Sequence, residues 1–138
     1  MDLEKYRRLF LEEASDHLME MSRGLLALEK DATCREALDE VFRMAHSIKG
    51  MAASLGYTAI RDLAHRMEDC MQAGRSTGRI DGEHTLPLLF RGLEGLERMV
   101  KVVHDTGEAP PPAPELVASL TPKSASSTDN GLKKKQFR

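Results

Sequence analysis

No tryptophan occurs among the 138 residues of this chain, and there are only two tyrosines and four phenylalanines. With leucine, methionine and alanine leading the apolar set, that scarcity disfavours a sheet and favours helix. Two cysteines, Cys34 and Cys70, are too few and too far apart for a disulfide framework or a CxxC metal knuckle. Reduced thiols in a cytosolic protein are the expectation. No apolar run approaches the roughly 20 residues that a membrane-spanning helix needs. The opening residues MDLEKYRRLF lack the pattern of a signal peptide, so a soluble, cytoplasmic protein is expected. A basic excess is missing as well. The last sixteen residues hold five bases and one acid, which leaves the first 122 residues with 15 bases against 21 acids, a net charge of −6. An acidic body of this kind argues against a nucleic-acid footprint. A GxxxxGK[ST] loop is also absent, so no nucleotide site is expected in the chain itself.

What is present is helical periodicity, in a chain long enough for one domain with a single core. Tyr6, Phe10, Ala14, Leu18, Met21, Leu25 and Leu28 recur at steps of three and four, which predicts one long amphipathic helix over Asp2 to Glu29. Thr33 and Glu36 have the form of a capping box that opens a second helix, whose apolar stripe is Leu38, Val41, Phe42, Ala45, Ile48 and Ala52. Gly56 suits the end of that helix, and Thr58 suits the N-cap of a third. The third buries Ile60, Ala64, Met67 and Met71 and ends in the Gly- and Ser-rich stretch from Gly74 to Gly82. A fourth helix sets Leu89, Leu93, Leu96, Val100 and Val103 on one side. Pro87 is tolerable only in its first turn. Gly92 and Gly95 are read as sites of close packing against a neighbouring helix. The fold expected is all-α, an antiparallel four-helix bundle over residues 1–105. A Pro-rich linker and a disordered basic tail are expected over 106–138, with room for a short extra helical turn from Glu115 to Leu120.

Five histidines are present. His17, His84 and His104 lie among charged neighbours and read as surface residues. His46 sits at the border of the apolar stripe of helix two, where it should be partly exposed. Lys49 is one turn further on, and Gly50 and Ala53 leave little bulk around the ring. The third helix carries His65 and Glu68 at the border of its own stripe. In an antiparallel hairpin, residues at equal height have numbers of constant sum. His46 with Glu68 and Lys49 with His65 share one such sum, centred on Tyr57 in the turn. That register sets a carboxylate near His46 and a second imidazole near Lys49. A carboxylate that accepts the Nδ1 proton would fix the tautomer and leave Nε2 as a nucleophile toward phosphorus, with Lys49 to offset phosphoryl charge. On spacing alone, a surface ion pair of Glu68 with Lys49, worth little to stability, accounts for these residues too.

His46-Ser-Ile-Lys49-Gly50, with Phe42-Arg43 before it and Ala53-Ser-Leu-Gly56-Tyr57 after it, resembles the phosphotransfer motif of the CheA family of chemotaxis histidine kinases. Leu11-Glu-Glu-Ala14 and His65-Arg-Met-Glu68 resemble further segments of that family, and the likeness covers about residues 3 to 104. Pro87 and the glycines of helix four depart from the pattern, and the family's fifth helix is poorly represented.

The resemblance implies a histidine phosphotransfer (HPt) domain of a two-component chemotaxis pathway. It makes His46 the phosphorylated residue, with Lys49, His65 and Glu68 as its hydrogen-bonding and electrostatic neighbours. Gly50 gives access to the ring. The implied partners are a kinase ATP-binding domain and a response-regulator receiver of the CheY type, and neither nucleic acid nor membrane insertion is expected. ATP would be held by the kinase domain and Mg²⁺ by kinase and receiver, with no cofactor on this chain. The chain would be a phosphoryl carrier, a piece of a protein histidine kinase, and unable to phosphorylate itself alone.

Two rivals belong to other classes. A metal-binding bundle using His46, His65 and Glu68 lacks the paired Glu-x-x-His motifs of di-iron bundles, and the eight methionines read as packing residues. A pure scaffold would give His46 no chemistry.

Overall fold

The computed structural model describes residues 2–120. Over these the chain forms α1 (Leu3–Lys30), α2 (Arg35–Leu55), α3 (Thr58–Thr77), α4 (Thr85–Thr106) and α5 (Pro114–Ser119), with no strand among the described residues. Each long helix packs on the next, and α4 closes back on α1. The backbones of the diagonal pairs do not approach closely, so the arrangement is an antiparallel four-helix bundle. None of the helices is long and apolar enough to cross a membrane.

The apolar stripes meet on the bundle axis. Met21, Leu25, Leu38, Ile48, Ile60, Met67, Met71, Leu89 and Leu96 are fully buried. Two residues assigned to the stripes lie nearer the surface: Tyr6 is exposed, and Phe42 is half-buried. One turn after Tyr6, Phe10 packs edge-on against Tyr57, ring centroids 5.2 Å apart.

The helix ends show which local signals prevailed. Asp31, not Thr33, is the capping group of the first connection. Its Oδ1 accepts from Thr33 N–H at 3.0 Å and from the Thr33 hydroxyl at 2.6 Å. The expected capping box therefore does not form, and α2 starts at Arg35 behind Cys34. Gly56 ends α2 as expected, at φ 78°, a left-handed conformation that costs glycine nothing. Tyr57 N–H reaches back to Ala52 O at 2.9 Å across it. Tyr57, not Thr58, precedes the first turn of α3.

The third helix ends inside the expected stretch from Gly74 to Gly82: α3 continues to Thr77 and closes on Gly78. Gly74 is buried because a methyl there would lie 3.0 Å from Ile80 Cδ1. Ile80 N–H donates to Ala32 O at 3.0 Å and so ties the two connections at that end of the bundle together.

Pro87 falls in the first turn of α4, where its missing N–H breaks no helical bond. Gly92 and Gly95 pack closely, as expected: methyls on them would lie 2.8 Å from Met67 Sδ and 2.6 Å from Leu116 Cδ2. The second contact shows that the packed body continues past the expected boundary at 105. The α5 turn lies on α3 and α4, Leu120 is 1% exposed, and the Cys70 thiol donates to Leu120 O at 3.2 Å. The disorder expected of the basic tail lies outside the described residues.

Candidate functional site

Helices α2 and α3 share the largest interface of the bundle, and their facing borders carry the polar cluster. His46 Nδ1 and Glu68 Oε2 are 2.5 Å apart, and Lys49 Nζ donates to Glu68 Oε1 at 2.7 Å. One carboxylate thus uses both oxygens to hold two residues of α2 one turn apart. Glu68 is the one charged residue in the buried set of the described chain, at 8% exposure. A buried carboxylate needs partners of this kind to remain ionised. Burial alone would raise its pKa. The hydrogen bonds from Lys49 and His46, together with the Lys49 charge, outweigh that and hold the carboxyl below the usual glutamate range.

The imidazole itself stands clear of the core, with its side chain 62% exposed. With Nδ1 facing an ionised carboxylate, the neutral form of the ring keeps its proton on Nδ1 and leaves the Nε2 lone pair free. No hydrogen bond to Nε2 occurs among the described residues. One turn further on, Gly50 adds no bulk: a methyl built there would meet nothing within 4 Å. The arrangement is an oriented, solvent-facing imidazole with a buried carboxylate behind it and an ammonium beside that carboxylate.

His65 is not part of this cluster. The hairpin register set it beside Lys49, but Lys49 turns to Glu68, and the His65 ring lies 3.7 Å from Asp69 Oδ1. Residues three apart on a helix differ by about 60° around the axis, which is enough to bring Glu68 under the α2 border and leave His65 outside it. Asp69, four residues beyond His65, shares its outer face.

Among the other histidines, His84 and His104 are exposed, whereas His17 is half-buried beside Glu13 at 3.8 Å. No group of three or more His, Cys, Asp or Glu side chains among the described residues could hold a metal ion. Cys34 and Cys70 are free, and burial pushes the Cys70 thiol up to about 11, far from a reactive thiolate.

Sequence reasoning passed over the other end of the same interface. Arg75 Nε donates to Asp39 Oδ1 at 2.9 Å, and its guanidinium lies 4.2 Å from the centroid of the Phe42 ring. The signal was there, since Asp39 and Arg75 fall in the same constant-sum register as His46 and Glu68.

Comparison with known proteins gives three concordant findings. A model of the Hpt domain family matches residues 5–106. The chain is 36% identical over 120 residues to the chemotaxis protein CheA of Bacillus subtilis (strain 168), covering 87% of this chain and 18% of that protein. It is 38% identical over 112 residues to CheA of Listeria monocytogenes, covering 81% of this chain and 18% of that one. The chain therefore spans 18% of the length of these relatives.

Two solved structures share the fold. The solution structure of the histidine phosphotransfer domain of CheA superposes with a TM-score of 0.79 at 27% identity, over 96% of this chain and 100% of that one. The CheA phosphotransferase domain from Thermotoga maritima does so at 0.69 and 29% identity, over 75% and 98%.

Proposed function

The chain belongs to the Hpt domain family, the phosphotransfer modules of two-component signalling, and from that premise we propose that it carries a phosphoryl group on Nε2 of His46. The observation that supports this is the pairing of a buried, doubly bonded Glu68 with an exposed imidazole whose Nε2 is unencumbered.

The chemistry needs little from the bundle. Nε2 attacks the γ-phosphorus of ATP presented by a kinase ATP-binding domain. A P–N bond forms, the bond from phosphorus to the bridging oxygen breaks, and ADP leaves with that electron pair. The Nδ1 proton stays where it was. The ring becomes a phosphorylated imidazolium, and Glu68 faces the charge that develops on it. Lys49 holds Glu68 ionised and in place, and supplies positive charge beside the incoming phosphoryl oxygens. In the second step a carboxylate oxygen of a receiver aspartate attacks the phosphorus, and the P–N electron pair returns to Nε2. Mg²⁺ belongs to the kinase and receiver sites, and Gly50 leaves room for both partners to approach. The setting is a chemotaxis-type pathway, with the chain as substrate and carrier and the partners supplying the rest of the catalytic apparatus.

The test is incubation with ATP and a chemotaxis histidine-kinase domain, followed by mapping of the label under alkaline conditions. Label on His46 that is discharged by a receiver domain with Mg²⁺ is the expected result. Label on serine or threonine, or none, overturns the reading.

A further inference from the structure

A single hydrogen bond at Nδ1 fixes one point of the His46 ring and leaves the ring free to tilt about that contact. A nucleophile that must meet phosphorus in line gains from a second restraint. The structure offers one. Phe42 stands one turn before His46 on α2, its ring centroid 6.2 Å from that of the imidazole and the two planes only 14° from parallel. Phe42 is in turn held from α3. The Arg75 guanidinium lies over its ring at 4.2 Å.

Arg75 is itself fixed at several points. Nε donates to Asp39 Oδ1 at 2.9 Å, Nη1 donates to Gln72 Oε1 at 3.2 Å, and its backbone carbonyl accepts from Arg35 Nη1 at 3.3 Å. The Arg75 charge is spent on Asp39 and on the Phe42 face, so it is not free to serve as a counter-charge for the phosphoryl group.

We infer that Phe42, clamped by Arg75, is a positioning residue for the phosphotransfer reaction: its ring limits the tilt of the His46 imidazole while Glu68 fixes the ring within its plane. This rests on His46 being the phosphoacceptor. It also explains why an aromatic residue of the apolar stripe sits half-buried at the bundle surface instead of in the core.

Phe42→Leu keeps the apolar bulk and removes the plane, whereas Phe42→Tyr keeps the plane. Arg75→Met removes the clamp from a side chain that is 33% exposed, so its effect can be read even if Phe42→Leu does not fold. With the kinase domain as enzyme and this chain as substrate, Phe42→Leu is expected to lower kcat about tenfold with KM unchanged, and Arg75→Met about threefold. Phe42→Tyr should restore the wild-type rate. The His46 ring-proton resonances should lose the ring-current shift from Phe42 in Phe42→Leu and keep it in Phe42→Tyr.

Wild-type kcat in both Phe42→Leu and Arg75→Met overturns the inference. So does a loss expressed in KM, which would make Phe42 a docking contact, or a loss that Phe42→Tyr does not repair. The two readings fail separately. A wild-type chain that takes no label on His46 defeats the phosphotransfer reading, whereas normal labelling of His46 in every variant defeats only the positioning role.

Discussion

Glu68 and His46 are bonded at 2.5 Å yet stand on opposite sides of the protein surface: the carboxylate side chain is 11% exposed and the imidazole 62%. Water competes little with a buried acceptor for the Nδ1 proton, so the contact orients the ring more firmly than an exposed pair would. In the proposed function, the exposed side of the ring is the side a partner reaches. Burial of one residue and exposure of the other divide orientation from reactivity.

Glu68→Ala should therefore separate stability from chemistry. Both partners of the lost carboxylate reach solvent, with Lys49 at 28% exposure, so neither is stranded. The cost to folding should be about 1 kcal/mol, while phosphorylation should slow by about tenfold or more for want of an oriented ring. Thermal melts and labelling rates on one preparation check both. A large loss of stability at an unchanged labelling rate would make Glu68 a structural residue.

His46→Gln should fold as the wild type does, since the ring is exposed and no core contact is lost. It should accept no phosphate. Label on the wild-type chain should be stable in alkali and lost in acid, as a phosphoramidate is. Labelling of the glutamine variant at the wild-type level would remove His46 from the mechanism.

The fold was largely legible because amphipathic periodicity is a local signal that the bundle reproduces, as in Ile48 and Ala52 of α2 and Ile60 and Ala64 of α3. The pairing of His46 with Glu68 was legible for a related reason: a two-helix hairpin with a tight turn at Gly56 has one register. Competing interactions hid the rest. Asp31 captured both donors of Thr33 and displaced the capping box. The contact of Gly74 with Ile80, six residues later, has no periodic signature. Leu120 is buried only because the polyproline stretch turns the chain back over α3 and α4, a long-range contact without a periodic signature. His65 was misplaced because spacing gives height along a helix and says little of rotation around it.

Stability should depend on pH through Glu68 in a definite direction. Its folded pKa lies below the usual glutamate range, so its contribution is fully present above that range and is lost as the pH falls through the lower folded value. Glu68→Gln keeps the shape and removes the charge. The stability difference between wild type and this variant should thus be constant from neutral pH to about 5, and should shrink only in more acidic solution. Urea titrations across the acid range measure it. A difference that grows on acidification would reverse the sign and show that the carboxyl is held neutral.

Gly24 and Gly50 should answer the same substitution with opposite signs. Both lie inside long helices, where alanine is favoured over glycine by roughly 0.5–1 kcal/mol. At Gly50 a methyl meets nothing within 4 Å, so Gly50→Ala should keep the whole of that gain. At Gly24 the methyl would lie 2.5 Å from Val41 Cγ2, on a β-branched side chain with little freedom at χ1 and no exposure. Relief requires α1 and α2 to move apart, and overpacking of this kind costs about 1–3 kcal/mol. Gly24→Ala should therefore be destabilising by about 1 kcal/mol after the helical gain is subtracted. Urea midpoints of the two variants against wild type decide the matter. Stabilisation by both would mean that the α1–α2 contact has slack, and the close approach at Gly24 would then not be what sets the spacing of those helices.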